Sequence, residues 1–373
     1  MIGGRGVRRG AAAVLEAGAE ARITRSVLWP ASALWRHLAT PVRALELPRG
    51  FSIVGVGGAT LGGSGCTPLA LAVAERLRAL GHPVAFVTHG YGGRARRPFI
   101  VSESDDVRWV GDEARLAARR LAPQRIPVIS RGTGAWYQRV QPARAGAAWQ
   151  AALALAARTL EGEALEVPGV IVVDGLLQAA PERVAASLLV VDAEAPWGSG
   201  RCPPLGDSRA DRARLLAACD GVVSLRRAPQ AELSEAQSHT SVTLSKNEAT
   251  FTRELSHVTR AHPLGYGHVS CRELPWLLGQ RVHVALAIAR PERVLSQLEA
   301  LGVLPERVWL GPDHAGLDAL LSREKFSDGV VWLTTHKCWS ATRTPPRGGQ
   351  WWLLEERLGV TEAWLGWLRA RLV

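Results

Sequence analysis

At 373 residues and 40.1 kDa the chain can hold one large α/β domain and a smaller one. Hydrophobic residues at 47% and charged residues at 21% exclude a long disordered tract, and no apolar run is long enough to span a bilayer. The formal charge of +11 suits anionic partners, nucleic acid or a membrane surface. Lys occurs only at 246, 325 and 337, so Arg supplies the other 42 of 45 basic residues, spread along the chain without the clustering that nucleic-acid recognition needs.

Arg5, Arg8 and Arg9 resemble a charged leader, but Glu16 and Glu20 interrupt the alanine-rich stretch behind them, so no secretory apolar region is expected. Five cysteines, odd in number and without metal-type spacing, point to a reducing, cytoplasmic compartment. From Ser26 to Leu47, Trp29, Leu34, Trp35 and Leu38 recur at helical spacing among basic residues. Such a stripe suits a helix lying in a membrane interface and equally one packed on a core.

Phe51 to Thr67 reads as an apolar strand, a glycine-dense turn and a helix start, and the helix that follows has Pro68 in its first turn and Gly81 as its stop. A strand, a glycine turn and a helix start present backbone N–H groups and a positive helix end to a phosphate. The turn spans Thr60, Leu61, Gly62, Gly63, Ser64, Gly65, Cys66 and Thr67. Against the pattern G-x-x-x-x-G-K-[ST], Gly65 and Thr67 are in place, Thr60 stands at the first Gly and Cys66 at the Lys.

A second buried strand, Val84 to Val87, exits into Thr88-His89-Gly90-Tyr91-Gly92-Gly93, so two polar, glycine-rich motifs fall at adjacent strand ends. This rhythm predicts a doubly wound, mostly parallel α/β sheet with its ligands at the carboxyl ends of the strands. Gly111-Asp112-Glu113 opens a helix, where acids also simply favour the positive end. Val170 to Asp174 is an apolar run ending in an acid, the setting in which P-loop proteins hold Mg²⁺. Leu188 to Asp192 and Gly221 to Ser224 extend the sheet to five or more strands. Arg226 to Thr250 reads as a polar linker, and strands at Arg281 to Ala289, Val308 to Leu310 and Gly329 to Leu333 predict a smaller C-terminal α/β lobe. The divisions expected are 1–47, 48–250 and 251–373. Trp351, Trp352, Trp364 and Trp367 read as core aromatics.

Eight collinear segments resemble the tetraacyldisaccharide 4'-kinases of lipid A biosynthesis, a P-loop kinase family. The family loop V-G-N-L-T-V-G-G-T-G-K-T is matched at Val56, Gly57, Thr60, Gly62, Gly63, Gly65 and Thr67, so Thr60 is the family's own form of the turn. S-R-G-Y-G-G is similar to Thr88 to Gly93, G-D-E-P to Gly111 to Ala114, and D-D-G-L-Q-H in part to Val173 to Gln178. G-N-G-R-L-L-P-A-G-P-L-R is similar to Gly198 to Arg209, and G-I-G-x-P-x-x-F to the segment from Ala287 through Arg293. D-H-H corresponds to Asp313-His314 and T-T-E-K-D to Thr334 to Cys338.

The resemblance implies ATP on Thr60 to Thr67, Mg²⁺ near Thr67 and Asp174, and Asp112 as the base that accepts a sugar hydroxyl proton, supported by His314. It also implies substrate or phosphate contacts at His89, Tyr91, Arg94, Arg201 and Lys337. Its substrate would be a membrane glycolipid, met by a peripheral protein on the inner face of the inner membrane, with no nucleic acid and no obligate protein partner. Cys66, Val173 and Gln178 depart from the family pattern. Two accounts stand open: a kinase in which Arg94, Arg96, Arg97 or Lys337 supplies the charge Cys66 lacks, and a degenerate relative that binds nucleotide or glycolipid without efficient transfer. A basic nucleic-acid-binding protein is the third.

Overall fold

The computed structural model describes residues 22–38, 48–132, 142–161, 167–175, 185–227, 247–261, 270–344, 346 and 348–372. Its first-lobe strands are β1 (Phe51–Gly58), β2 (Val84–Thr88), β3 (Phe99–Val101), β4 (Val128–Ser130), β5 (Gly169–Asp174), β6 (Ala186–Asp192) and β7 (Gly221–Arg227). Beyond them lie β8 (Asn247–Arg260), β9 (Cys271–Glu273), β10 (Val282–Leu286), β11 (Arg307–Leu310), β12 (Val331–Thr335) and β13 (Gln350–Leu358). All thirteen join one sheet in the order β11-β10-β12-β13-β8-β7-β6-β1-β5-β2-β4-β3, with β9 on β8. Pairing is parallel within each lobe except at β3–β4 and β8–β9, and β8–β13 joins the lobes antiparallel.

The central first-lobe strands β1, β2, β5 and β6 are buried on both faces, and period-two alternation sorts their residues. Val54 and Val56 of β1, with Val170 and Val172 of β5, face one core under helices α2 (Cys66–Ala79) and α4 (Asp112–Leu121). Ile53, Ile171 and Val173 face the other, under α5 (Pro142–Leu160), where Trp149 is fully buried. The remaining helices are α1 (Arg22–Leu38), the single turn α3 (Val107–Val110), α6 (Arg212–Ala217), α7 (Glu292–Ala300), α8 (Asp318–Leu321), α9 (His336–Ala341) and α10 (Glu362–Arg369). After β1 the chain lays β2, β3 and β4 beyond β5 on one side, then places β6 on the other, so β1 ends at the switch point of the sheet.

The second-lobe strands β10, β12 and β13 pack α7 on one face and a Trp332–Trp339–Trp351 cluster on the other. The polar segment read as a linker contributes Arg226 and Arg227 to β7 and residues 247–250 to β8, and residues 228–246 lie outside the described set. Strand β8 runs straight through position 250, so the lobes share a strand there. The C-terminal helix α10 returns to the first lobe: Trp364, Leu365 and Leu368 join the core of α2, with Trp364 edge-on to Phe251 at 5.1 Å. No described helix is long and apolar enough to cross a membrane.

Candidate active site

The glycine turn leaves β1 beside β6 and is fixed by backbone pairing: Ala59 N donates to Val190 O at 3.1 Å and Leu61 N to Asp207 O at 2.8 Å. Thr60 Oγ1 closes the turn on Gly62 O at 2.8 Å. Gly65 caps α2 at φ 87°, a left-handed conformation that favours glycine, and a Cβ there would also press within 2.4 Å of the Leu225 side chain. From this cap α2 points its N-terminus at the turn, aligned for an anion. Thr67 Oγ1 donates to Asp174 Oδ2 at 2.8 Å. Asp174 is 2% exposed, and burial followed by the charge of Glu113 pushes its carboxyl up to about 7.

A hydroxyl and a carboxylate meeting at a helix start are the hard oxygen donors that Mg²⁺ takes, alongside phosphate oxygens and water. Among the described residues no group of three or more His, Cys, Asp or Glu is arranged to hold an ion. A one-carboxylate site therefore fits a cation that arrives with its nucleotide. Val173, where the family has the first of two acids, points away from Thr67 into the core against α5. Gln178 lies outside the described residues.

Across the mouth of the turn stands a second pair. Asp112 begins α4 after Gly111, whose φ of 90° and 2.3 Å clearance to Tyr91 O admit no side chain. Asp112 Oδ2 lies 2.6 Å from Nδ1 of His314, a second-lobe residue held at φ 63°. Burial raises the Asp112 carboxyl, but the His314 hydrogen bond and the His314 and Lys337 charges outweigh it and hold it below its ordinary value. Burial likewise opposes the His314 imidazolium, yet the bond to Asp112 and the Asp112 and Asp313 charges raise it. The two groups stand as an ion pair bridging the lobes.

Polar neighbours connect the two pairs. Lys337 Nζ donates to Asp313 Oδ1 at 3.1 Å and lies 3.8 Å from Glu113, which is 3.5 Å from His89 Nε2. These anions, Glu113 first, push the Lys337 ammonium up to about 12 against the effect of burial. The Tyr91 ring lies 5.2 Å from that of His314. Arg94 is exposed on the segment after the second glycine motif, where its backbone pairs with Arg108 and Trp109, and Arg96 and Arg97 are exposed beside it. Arg201 sits on the 198–209 turn that pairs with the glycine turn.

Cys66 packs its Sγ 3.3 Å from Ser64 Oγ. Burial and the Asp174 charge push the thiol up to about 12, so it carries no charge at neutral pH. A cation at the base of the turn, on the Cys66 side, is Arg209: its Nε donates to Gly58 O at 3.1 Å and its Nη2 to Thr60 O at 3.4 Å. Burial lowers its guanidinium, and nearby Cys66, Asp174 and Glu113 pull the other way. In the sequence Arg209 stands only as the end of a motif, and Glu113 and Asp313 carry no assigned role. Their adjacency to the singled-out Asp112 and His314 is the signal that could have found them.

A doubly wound sheet with a glycine turn at its switch point, a Thr–Asp pair at the helix start and an Asp–His pair opposite define a P-loop kinase fold. A family model described as "Tetraacyldisaccharide-1-P 4'-kinase" matches residues 24–373, and the chain belongs to that family. It is 32% identical over 301 residues to a tetraacyldisaccharide 4'-kinase of Methylorubrum populi, spanning 78% of this chain and 76% of that one. A protein of the same name from Dichelobacter nodosus is 29% identical over 286 residues, 76% of this chain and 72% of that one. A crystal structure of LpxK from Aquifex aeolicus in complex with ATP matches the fold with a TM-score of 0.63 and 19% identity, covering 93% of this chain and 98% of that one.

Proposed function

We propose that this chain transfers the γ-phosphate of ATP to the 4'-hydroxyl of a tetraacyldisaccharide 1-phosphate, a lipid A precursor. The observation that carries the reading is the Asp112–His314 pair, 2.6 Å apart, facing the Thr67–Asp174 pair through Glu113 and Lys337. The backbone N–H groups of residues 62–67 and the α2 N-terminus hold the triphosphate. Thr67 and Asp174 would hold Mg²⁺, which would supply charge neutralisation for phosphoryl transfer. Asp112 accepts the proton as the sugar oxygen bonds to phosphorus and the bond to the leaving ADP oxygen breaks. His314 and Lys337 hold Asp112 in place and keep it ionised.

Arg209, at the base of the turn, supplies the positive charge that Cys66 does not. Lys337 is committed to the acids around Asp112, and Arg94, Arg96 and Arg97 sit on an exposed segment. The glycolipid is met at a membrane surface through α1. That helix is docked by Ser32 Oγ donating to Cys202 O at 2.8 Å, Trp35 Nε1 to Arg209 O at 3.2 Å and an Arg36–Asp211 ion pair. Its outer face leaves Trp29 63% and Leu34 58% exposed.

Purified protein given ATP, Mg²⁺ and tetraacyldisaccharide 1-phosphate should yield the 4'-phosphorylated product, and Asp112→Asn should cut the rate by ~10²-fold or more. Wild-type protein that binds ATP but makes no product would establish the degenerate account instead.

A further inference from the structure

Two arginines of the second lobe reach the glycine turn from outside. Arg293, in the first turn of α7, donates from Nη1 to Gly63 O at 2.9 Å. It also forms an ion pair with Asp192 at the end of β6, and Arg290 pairs with the same carboxylate. The Arg290 stem lies across Gly63: a Cβ on that glycine would stand 3.3 Å from Arg290 Nε and 3.5 Å from its Cδ. The anchor is rigid on both sides. Asp192 is buried at 6% exposure and accepts from Glu194 N at 3.2 Å. On α7, Gln297 Oε1 accepts from Leu255 N of β8 at 2.9 Å, holding that helix against the strand shared by the lobes.

Gly63 and Gly65 both stand at positive φ, 72° and 87°, so the intervening peptides are soft and their N–H groups have no intrinsic reason to converge. Holding the Gly63 carbonyl outward turns the N–H of the same peptide unit, that of Ser64, inward. We propose that Arg293 is a positioning residue for the nucleotide turn. With Arg290 and Asp192 it forms an inter-lobe clamp that aims the turn's amides at the phosphates only when the second lobe is seated. The clamp rests on the reading of residues 60–67 as a nucleotide turn. One carboxylate shared by two guanidiniums also leaves a surplus positive charge beside the turn.

The test is amide hydrogen exchange on the full-length protein without nucleotide, followed by titration with ATP. Arg293→Ala should speed exchange across residues 59–66 at least tenfold, leave the β5 and α5 amides unchanged, and weaken ATP about tenfold, the scale of one charged hydrogen bond. Arg293→Lys, which keeps a single donor, should fall between wild type and Ala. Asp192→Asn should act in the same direction and stands in should the alanine variant fail to fold. An Arg281→Ala control breaks an exposed pair with Glu306 in the same lobe and should change nothing. Turn exchange equal to wild type in both Arg293→Ala and Asp192→Asn overturns the clamp. Wild-type protein that binds no ATP overturns the kinase reading, while the exchange measurement still decides the clamp.

Discussion

Asp112 and His314 come from different lobes, and each shifts the other's proton affinity in the direction that keeps both charged. A carboxyl held below its ordinary 3.8 stabilises the fold above that pH and loses its contribution as pH falls. An imidazole held above its ordinary 6.5 contributes fully below that pH and loses its contribution as pH rises through the raised value. The pair is therefore worth most between roughly pH 4 and 6.5. His314→Asn tolerates the left-handed backbone and removes the charge. Its melting temperature should lie furthest below wild type inside that window, with the gap narrowing toward pH 9. A gap independent of pH would mean that the pair is not ionised.

Between residue and fold, some elements are legible in the sequence and others are not. The strands at Phe51, Val84, Gly169 and Ala186 are continuous apolar runs because parallel strands are covered on both faces, and these runs fix the switch point and the turn. Helix α4, opened in the sequence by Gly111-Asp112-Glu113, begins at Asp112, as acids in a first turn allow. Strand β8 is hidden in the sequence because it carries Glu and Arg in place of an apolar run, and the half of β13 that pairs with its start is equally charged, as at Arg253–Glu356. Period-two geometry also changes the meaning of Val173: it and Asp174 face opposite sides of β5, so the substitution leaves the Thr67–Asp174 pair intact. For α1 the residue pattern is equally consistent with interface and core, and the structure gives it one docked face and one exposed apolar face. Replacing Trp29 and Leu34 with Glu should lower binding to anionic vesicles severalfold at unchanged melting temperature, read by vesicle sedimentation. Unchanged sedimentation would remove α1 from the membrane contact.

At the scale of the whole molecule, one sheet carries both lobes, and Asp112, His314 and the turn meet because β8, β13 and the returning α10 lock the lobes together. Collinear motifs make Thr67 with Asp174 and Asp112 with His314 readable, since each sits at a strand or helix end or in a motif of its own. Arg209 is not readable, because its nearness to Cys66 depends on how the 198–209 turn folds against β1. In the proposed reaction a chain with Cys at the lysine position transfers phosphate with charge supplied by Arg209. The most direct measurement is the single-turnover rate of 4'-phosphorylation with saturating ATP and Mg²⁺ in wild type, Arg209→Ala and the Arg209→Ala/Cys66→Lys double variant. Arg209→Ala should lose ~10²- to 10³-fold, the usual effect of losing one preorganised charge at a transferring group, and the double variant should recover part of it. Arg209→Ala turning over as fast as wild type would contradict this role.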